Sequence, residues 1–337
     1  MPANKPKKRA NLRDVASKAG VSVATVSRVL NTPDIVQKKT RARVEHAIAA
    51  LNFHPSAAAR AINSGRTRII GALVPTLDND IFAQTLDAIE QRLRDFGFSL
   101  VVATTAEDPE VEASRAKELI DIGVEGLILS GTSHSSALVA LLERTRVQAV
   151  AISYFDPTYR YPTIGYDNLD AARLAMDHLV GLGHRRIAVI HSPAAHNDRT
   201  RARIHGATTP REDVTTACFE AALSVAGGCA IVDHILRETP LFDAFLCTTD
   251  VLAYGVMFEL QRRGFNVPGD VSVMGLHDLP SAREMVPRLS TVRLPARQMG
   301  RRAAEALAQW VEDDVKPEPQ CFACALKDRE STQARRR

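Results

Sequence analysis

Seven basic side chains (Arg13, Lys18, Arg28, Lys38, Lys39, Arg41 and Arg43) lie in a stretch whose acids are Asp14 and Asp34. Cations at this density neutralise phosphates and give salt-dependent affinity before any base is read. Inside the stretch, "VSVATVSRVL" (residues 21–30) mixes apolar and hydroxyl residues with the lone Arg28. On a helix, Val21, Val26, Val29 and Leu30 fall inward, while Val23, Ala24, Thr25, Ser27 and Arg28 face out. An arginine there can hold guanine O6 and N7 bidentately, and Val23 and Ala24 can touch thymine methyls. The bland alternative is a small bundle with a solvated positive surface.

The elements that would position these groups are short and locally specified. Asn11 precedes "LRDVASKAG" with Asp14 at the third helical position, a capping box, and Gly20 supplies the stop. Ser22 then caps a second helix after a tight turn, the pattern of a helix-turn-helix. "KKTRARVEHAIAALN" makes a third helix, apolar at Val44, Ala47, Ile48 and Leu51. "HPSAAARAIN" reads as a Ser56-capped helix of about two turns, too short to be stable alone. "NSGRTR" after it marks a domain boundary.

Charge divides the chain in the same place. Residues 1–66 carry 13 Lys and Arg against Asp14, Asp34 and Glu45, a balance of +10, while the remainder holds 30 basic and 36 acidic residues, or −6. A basic head on a mildly acidic body implies an anionic partner for the head alone. The N-terminal "MPANKPKKRA" has no apolar stretch behind it, so a secretory signal is not expected, nor is a membrane span. Five scattered cysteines fit a reducing cytoplasm, and the single CxxC at Cys321 and Cys324 reads as core thiols within a strand.

From Arg68 onward short β-branched runs such as "RIIGALVP", "VEGLILSG", "RRIAVIHS" and "VSVMGLHD" alternate with amphipathic stretches. That alternation predicts parallel α/β sheets, and the length predicts two similar subdomains with a cleft between them. The loops at strand ends, "VPTLDNDIF", "IHSPAAHNDRTRAR", "CTTD" and "GLHDLPSA", carry the polar groups, where ligands bind in such folds. No GxGxxG follows a strand, and no Walker loop, GxSxG elbow or HExxH pair occurs, so catalysis, cofactor and metal are not expected.

"LRDVASKAGVSVATVSRVLN" followed by "KKTRARVEHAIAALNFHPSAAARAI" resembles the head of the lactose-repressor/galactose-repressor (LacI/GalR) family across residues 12–62. The resemblance implies a homodimer on a pseudo-palindromic double-stranded DNA operator, with the second helix in the major groove. It places DNA contacts at Arg13, Ser22, Val23, Ala24, Thr25, Ser27, Arg28 and Asn31, and at Ala59 and Ile62 of a hinge helix. Ile62 holds the position of an apolar wedge in the minor groove; the alternative is a linker with a buried isoleucine. Gln37 stands where the family usually has a capping serine, which predicts a weaker cap on the third helix.

The body resembles the family through "HLVGLGHRRIAVI", "VSVMGLHDLPSA", "LSTVRLP" and "REST", which implies two parallel-sheet subdomains of periplasmic-binding-protein-like (type I) architecture. The expected division is residues 1–55 for an all-α DNA-binding head, 56–67 for hinge and linker, and 68–337 for an effector-binding and dimerisation body. Matched positions place Ile81, Phe82, Ser130, Arg203, Thr249 and His277 around a small-molecule effector. His277 stands where many members have an acid, and Pro210 interrupts a helix that is usually continuous, leaving the alignment open over residues 207–226. The implied function is an operator-binding repressor of a catabolic operon controlled by a sugar or sugar derivative. A purine- or nucleoside-like corepressor is the alternative, and an exported solute-binding protein the remote one.

Overall fold

The computed structural model describes residues 10–53, 65–238 and 242–335; the proposed hinge contacts Ala59 and Ile62 lie outside them. The chain divides into two units, Met1–Arg68 and Ile69–Arg337.

The first unit is helical: α1 (Leu12–Ala19), α2 (Val23–Asn31), a 3₁₀ turn (Pro33–Ile35) and α3 (Lys38–Ala50). The Asn11 side chain accepts from the amides of Arg13 and Asp14, and the Asp14 carboxylate accepts from the Asn11 amide, so both halves of the capping box form. Gly20 ends α1 at φ 62°, a left-handed conformation that costs glycine little. Arg43 reaches back from α3 to donate to the carbonyls of Ala19 (2.5 Å) and Gly20 (3.0 Å). That cation ties α3 to the carboxyl end of α1, where the helix dipole favours it. Gln37 makes no side-chain bond at the start of α3, as the missing serine predicts. Val15, Ala16, Ala19, Val26, Val29, Val44, Ala47 and Phe53 form the core.

The second unit holds two six-stranded sheets. In the first, β1 (Ile69–Val74), β2 (Ser99–Thr104), β3 (Gly126–Ser130), β4 (Gln148–Ile152) and β5 (Thr163–Gly165) are joined late in the chain by β11 (Gln320–Cys321), in the order β11-β5-β4-β3-β1-β2. In the second, β6 (Arg186–His191), β7 (Thr215–Glu220), β8 (Ala244–Cys247), β9 (Ser272–His277), β10 (Ser290–Arg293) and β12 (Ala325–Lys327) take the order β12-β10-β9-β8-β6-β7. Every pairing is parallel except that of β12 with β10. Both sheets therefore repeat one doubly wound order, with the reversal that opens a crevice at the carboxyl ends of the strands.

Helices cover both faces: α4 (Asp80–Asp95), α5 (Pro109–Asp121), α6 (Ser136–Thr145) and α11 (Ala296–Asp313) on the first sheet, and α7 (Asn168–Gly181), α8 (Asp198–Thr208), α9 (Val225–Glu238) and α10 (Asp250–Arg262) on the second. The chain crosses between sheets after β5, after β10 and between β11 and β12. The CxxC sits on this last crossing, so Cys321 ends β11 while Cys324 lies just before β12, rather than both on one strand. At α7 and α8 the packing is close enough that a Cβ on Gly206 would lie 2.1 Å from the Leu169 carbonyl oxygen. Gly206→Val should thus force the helices apart and destabilise the body by about 3 kcal/mol, read as a lower denaturation midpoint at unchanged slope.

Candidate nucleic-acid interface and ligand cleft

Helix α2 is two-faced. Val26 and Val29 are buried, whereas Ser22, Val23, Ala24 and Arg28 are exposed. Val23, at 40% exposure, is a large apolar side chain left in solvent at the start of a helix whose other valines are buried. Ser22 and Thr25 are partly spoken for: Ser22 Oγ accepts from the Thr25 amide (3.1 Å) and the two hydroxyls lie 2.9 Å apart. Of the basic residues, Arg41 pairs with Glu45 and Asp34, and Arg43 holds the end of α1. Arg13, Lys18, Arg28, Lys38 and Lys39 are exposed and make no ion pair among the described residues. Among the described residues of the head, these five are charges available to a polyanion.

In the body, Ile81, Phe82, Arg203, Thr249 and His277 all line one cleft of about 480 Å³, together with Asn79, Glu107, Ser153, Tyr166, Ser192, Asn197 and Arg199. Ser130 is the exception: it lines an adjoining cavity of about 320 Å³ that shares Glu107 and Arg199, and its buried hydroxyl has no partner among the described residues. The cleft residues come from strand ends and first helical turns. Asn79 caps α4 and so sets Ile81 and Phe82, and Thr249 caps α10 by accepting from the Leu252 amide (3.3 Å).

Arg203 is 94% buried, by its 6% exposure, and its bonds go to neutral groups. Nε donates to Asn168 Oδ1 (3.0 Å), Nη1 to the Thr248 carbonyl (3.0 Å) and to His277 Nε2 (3.1 Å), and Nη2 to the Tyr166 hydroxyl (3.2 Å). A guanidinium can only donate, so His277 Nε2 must be the acceptor and the ring proton sits on Nδ1, which is buried without a partner among the described residues. Burial, and then the charge of Arg203, hold the His277 pKa well below its usual value, so the ring is neutral.

His277 is presented by a strained turn. His277 and Asp278 both have positive φ, 131° and 56°. Strain of this kind persists only where the surroundings over-determine it. Two carboxylates do so: Asp250 accepts from the Leu279 amide (2.8 Å) and Thr291 Oγ1 (2.6 Å), and Asp278 accepts from Arg329, Arg293 and Arg283 at 2.5, 2.6 and 3.0 Å. Burial raises the Asp250 pKa to about 7.

The mouth of the cleft is bridged. From the first residue of α8, Asp198 Oδ2 accepts from the Thr132 amide (2.5 Å), Thr132 Oγ1 (2.8 Å) and the Ser133 amide (3.1 Å) on the loop after β3. Beside it, Asn197 Nδ2 donates to Glu107 (2.6 Å) and Arg201 Nη2 to Ser133 Oγ (2.8 Å). Sequence reasoning missed Glu107, Asn197, Asp198 and Arg199. One signal was there, since Arg199 stands one helical turn from Arg203 and shares its face. The partners of Asp198 lie 65 and 66 residues away, and no local pattern announces them.

A basic helix-turn-helix and a two-subdomain body with a cleft, carried in one chain, define a class of DNA-binding regulator. The chain belongs to the lacI family of bacterial regulatory proteins. The family profile for "Bacterial regulatory proteins, lacI family" matches residues 11–56, and that for a periplasmic binding protein-like domain matches residues 176–332. The chain is 32% identical over 305 residues to the HTH-type transcriptional regulator GntR of Escherichia coli K12, covering 89% of this chain and 92% of that one. It is 29% identical over 307 residues to the HTH-type transcriptional repressor PurR of Haemophilus influenzae PittEE, covering 90% and 91%. Among solved structures it is similar to the lac repressor dimer bound to operator and the anti-inducer ONPF, at a TM-score of 0.87 and 28% identity over 97% of this chain and 100% of that one. The protein is a DNA-binding transcription regulator and not an enzyme. No helix among its described residues is long and apolar enough to cross a membrane.

Proposed function

We propose that this chain represses a catabolic operon from the cytoplasm, binding a palindromic operator as a homodimer under the control of a small molecule, a sugar or sugar derivative. Residues 1–55 read DNA, residues 56–67 couple, and residues 68–337 bind the effector and dimerise. The observation that carries the reading is the division of α2 into a buried valine face and an exposed face bearing Val23, Ala24 and Arg28. In this reading Arg13, Ser22, Thr25, Ser27 and Asn31 frame that face, and Ala59 and Ile62 enter the minor groove. Effector binding shifts the open and closed populations of the cleft, and so alters the geometry offered to the two half-sites.

Gel shifts on a palindrome and on its isolated half-site test this. The palindrome should be bound by two protomers, with affinity falling steeply with salt. Binding of one protomer per site, or no preference over random DNA at physiological salt, would overturn it. Arg28→Ala should relax discrimination at one base pair by about 1–3 kcal/mol. Uniform weakening on every sequence would make Arg28 a phosphate contact.

A further inference from the structure

Arg203 carries a buried positive charge that no carboxylate in the described structure neutralises. Its four hydrogen bonds use four of five N–H groups, and all four acceptors are neutral: an amide, a carbonyl, an imidazole and a phenol. Arg199, one turn earlier, is the contrast, with Asp198 at 3.1 Å and Glu107 at 4.0 Å. A charge taken out of water is retained when something pairs with it, and here the site lines an open cleft. The groups around it reinforce the sign. One Nη2 hydrogen of Arg203 remains, and the Tyr166 hydroxyl accepts from Arg203 and keeps its own proton to give. This end of the cleft is made of donors around one cation.

The rest of the lining is different. Asn79, Ser153, Ser192 and Thr249 offer both donors and acceptors, and Glu107 is the carboxylate among the lining residues, already bonded to Asn197. The geometry points to a polyhydroxylated monocarboxylate, a sugar acid, as the ligand of this cleft, with its carboxylate on Arg203 and Tyr166. The inference rests on the effector reading above and names its chemical class. A neutral sugar or a purine leaves Arg203 without a counter-ion. A phosphomonoester brings a second negative charge, with one unneutralised arginine to meet it and Glu107 nearby.

The test uses matched sets, each a neutral aldose with the aldonate and uronate of the same carbon skeleton, titrated calorimetrically into the full-length protein. At least one carboxylate should bind tenfold or more tightly than its neutral partner, and should change operator affinity. The discriminating variant is His277→Asp, which places a carboxylate beside Arg203 and supplies the missing counter-ion within a fold it should not weaken. It should abolish the preference for acids and leave neutral aldoses equal or favoured. If neutral aldoses win in the unmodified protein, or His277→Asp keeps the acid preference, the charge assignment falls and the effector reading stands. If no member of any set binds, both fall together.

Discussion

Asp198→Ala should release the bridge across the cleft and shift its closed-to-open ratio by roughly 100-fold, about 3 kcal/mol. Three bonds from Thr132 and Ser133 converge on one oxygen of an ionised carboxylate, the strongest kind of neutral-donor hydrogen bond. Their loss is discounted because the freed amides regain water when the cleft opens, and because Asn197–Glu107 and Arg201–Ser133 remain. The pH dependence has a definite sign. Burial alone raises the Asp198 pKa, but Arg199 and the Thr132 donors outweigh it and hold the carboxyl below its usual value. A depressed carboxylate stabilises closure fully above the ordinary carboxylate range and loses that contribution as pH falls through its folded value. Small-angle scattering of the variant at neutral pH should give a larger radius of gyration than the parent, with effector affinity falling as the closed fraction falls. An unchanged radius would show that the bridge follows closure rather than holding it.

Removing Asp278 should have a comparable effect on stability. Its side chain is fully buried, and Arg329, the least exposed of its three arginines at 14%, has nowhere to take its charge. Asp278→Ala leaves cations facing one another and frees the positive-φ turn that presents His277. The expected cost is about 3 kcal/mol, less than the fullest penalty for a broken buried pair because Arg283 and Arg293 can rehydrate. For a body of this size that is a fall of roughly 6–12 °C in Tm. Burial raises the Asp278 pKa and the three arginines together lower it further, so this contribution too is intact above the ordinary carboxylate range and lost on acidification. The variant should therefore show a flatter loss of stability below about pH 4 than the parent does. A Tm within about 2 °C of the parent would mean that the arginines find other partners.

Much of the head was legible because its determinants are local. Asn11, Asp14, Gly20 and Ser22 act within three or four residues of themselves, so spacing alone announces their caps, and the structure forms each one. The strands were legible for a related reason: segments buried on both faces must be apolar throughout, and "RIIGALVP" or "RRIAVIHS" can hardly be read otherwise. The weak start of α3 and the end of α8 at Thr208, just before Pro210, follow from single residues.

The cleft was legible only in part. Of the matched positions, Ile81, Phe82, Arg203, Thr249 and His277 line one cleft and Ser130 lines an adjoining cavity. The sequence by itself determined the helix-turn-helix, the alternating body, the basic head and the arginine on α8, because each depends on periodicity, charge count or a neighbour along the chain. The tertiary structure alone decided that Arg203 lacks a counter-ion, that His277 is neutral with its proton on Nδ1, and that Asp198 clasps a loop 66 residues away. Charge compensation and hydrogen-bond direction are properties of distances in space, and the two subdomains bring together residues that the chain keeps far apart.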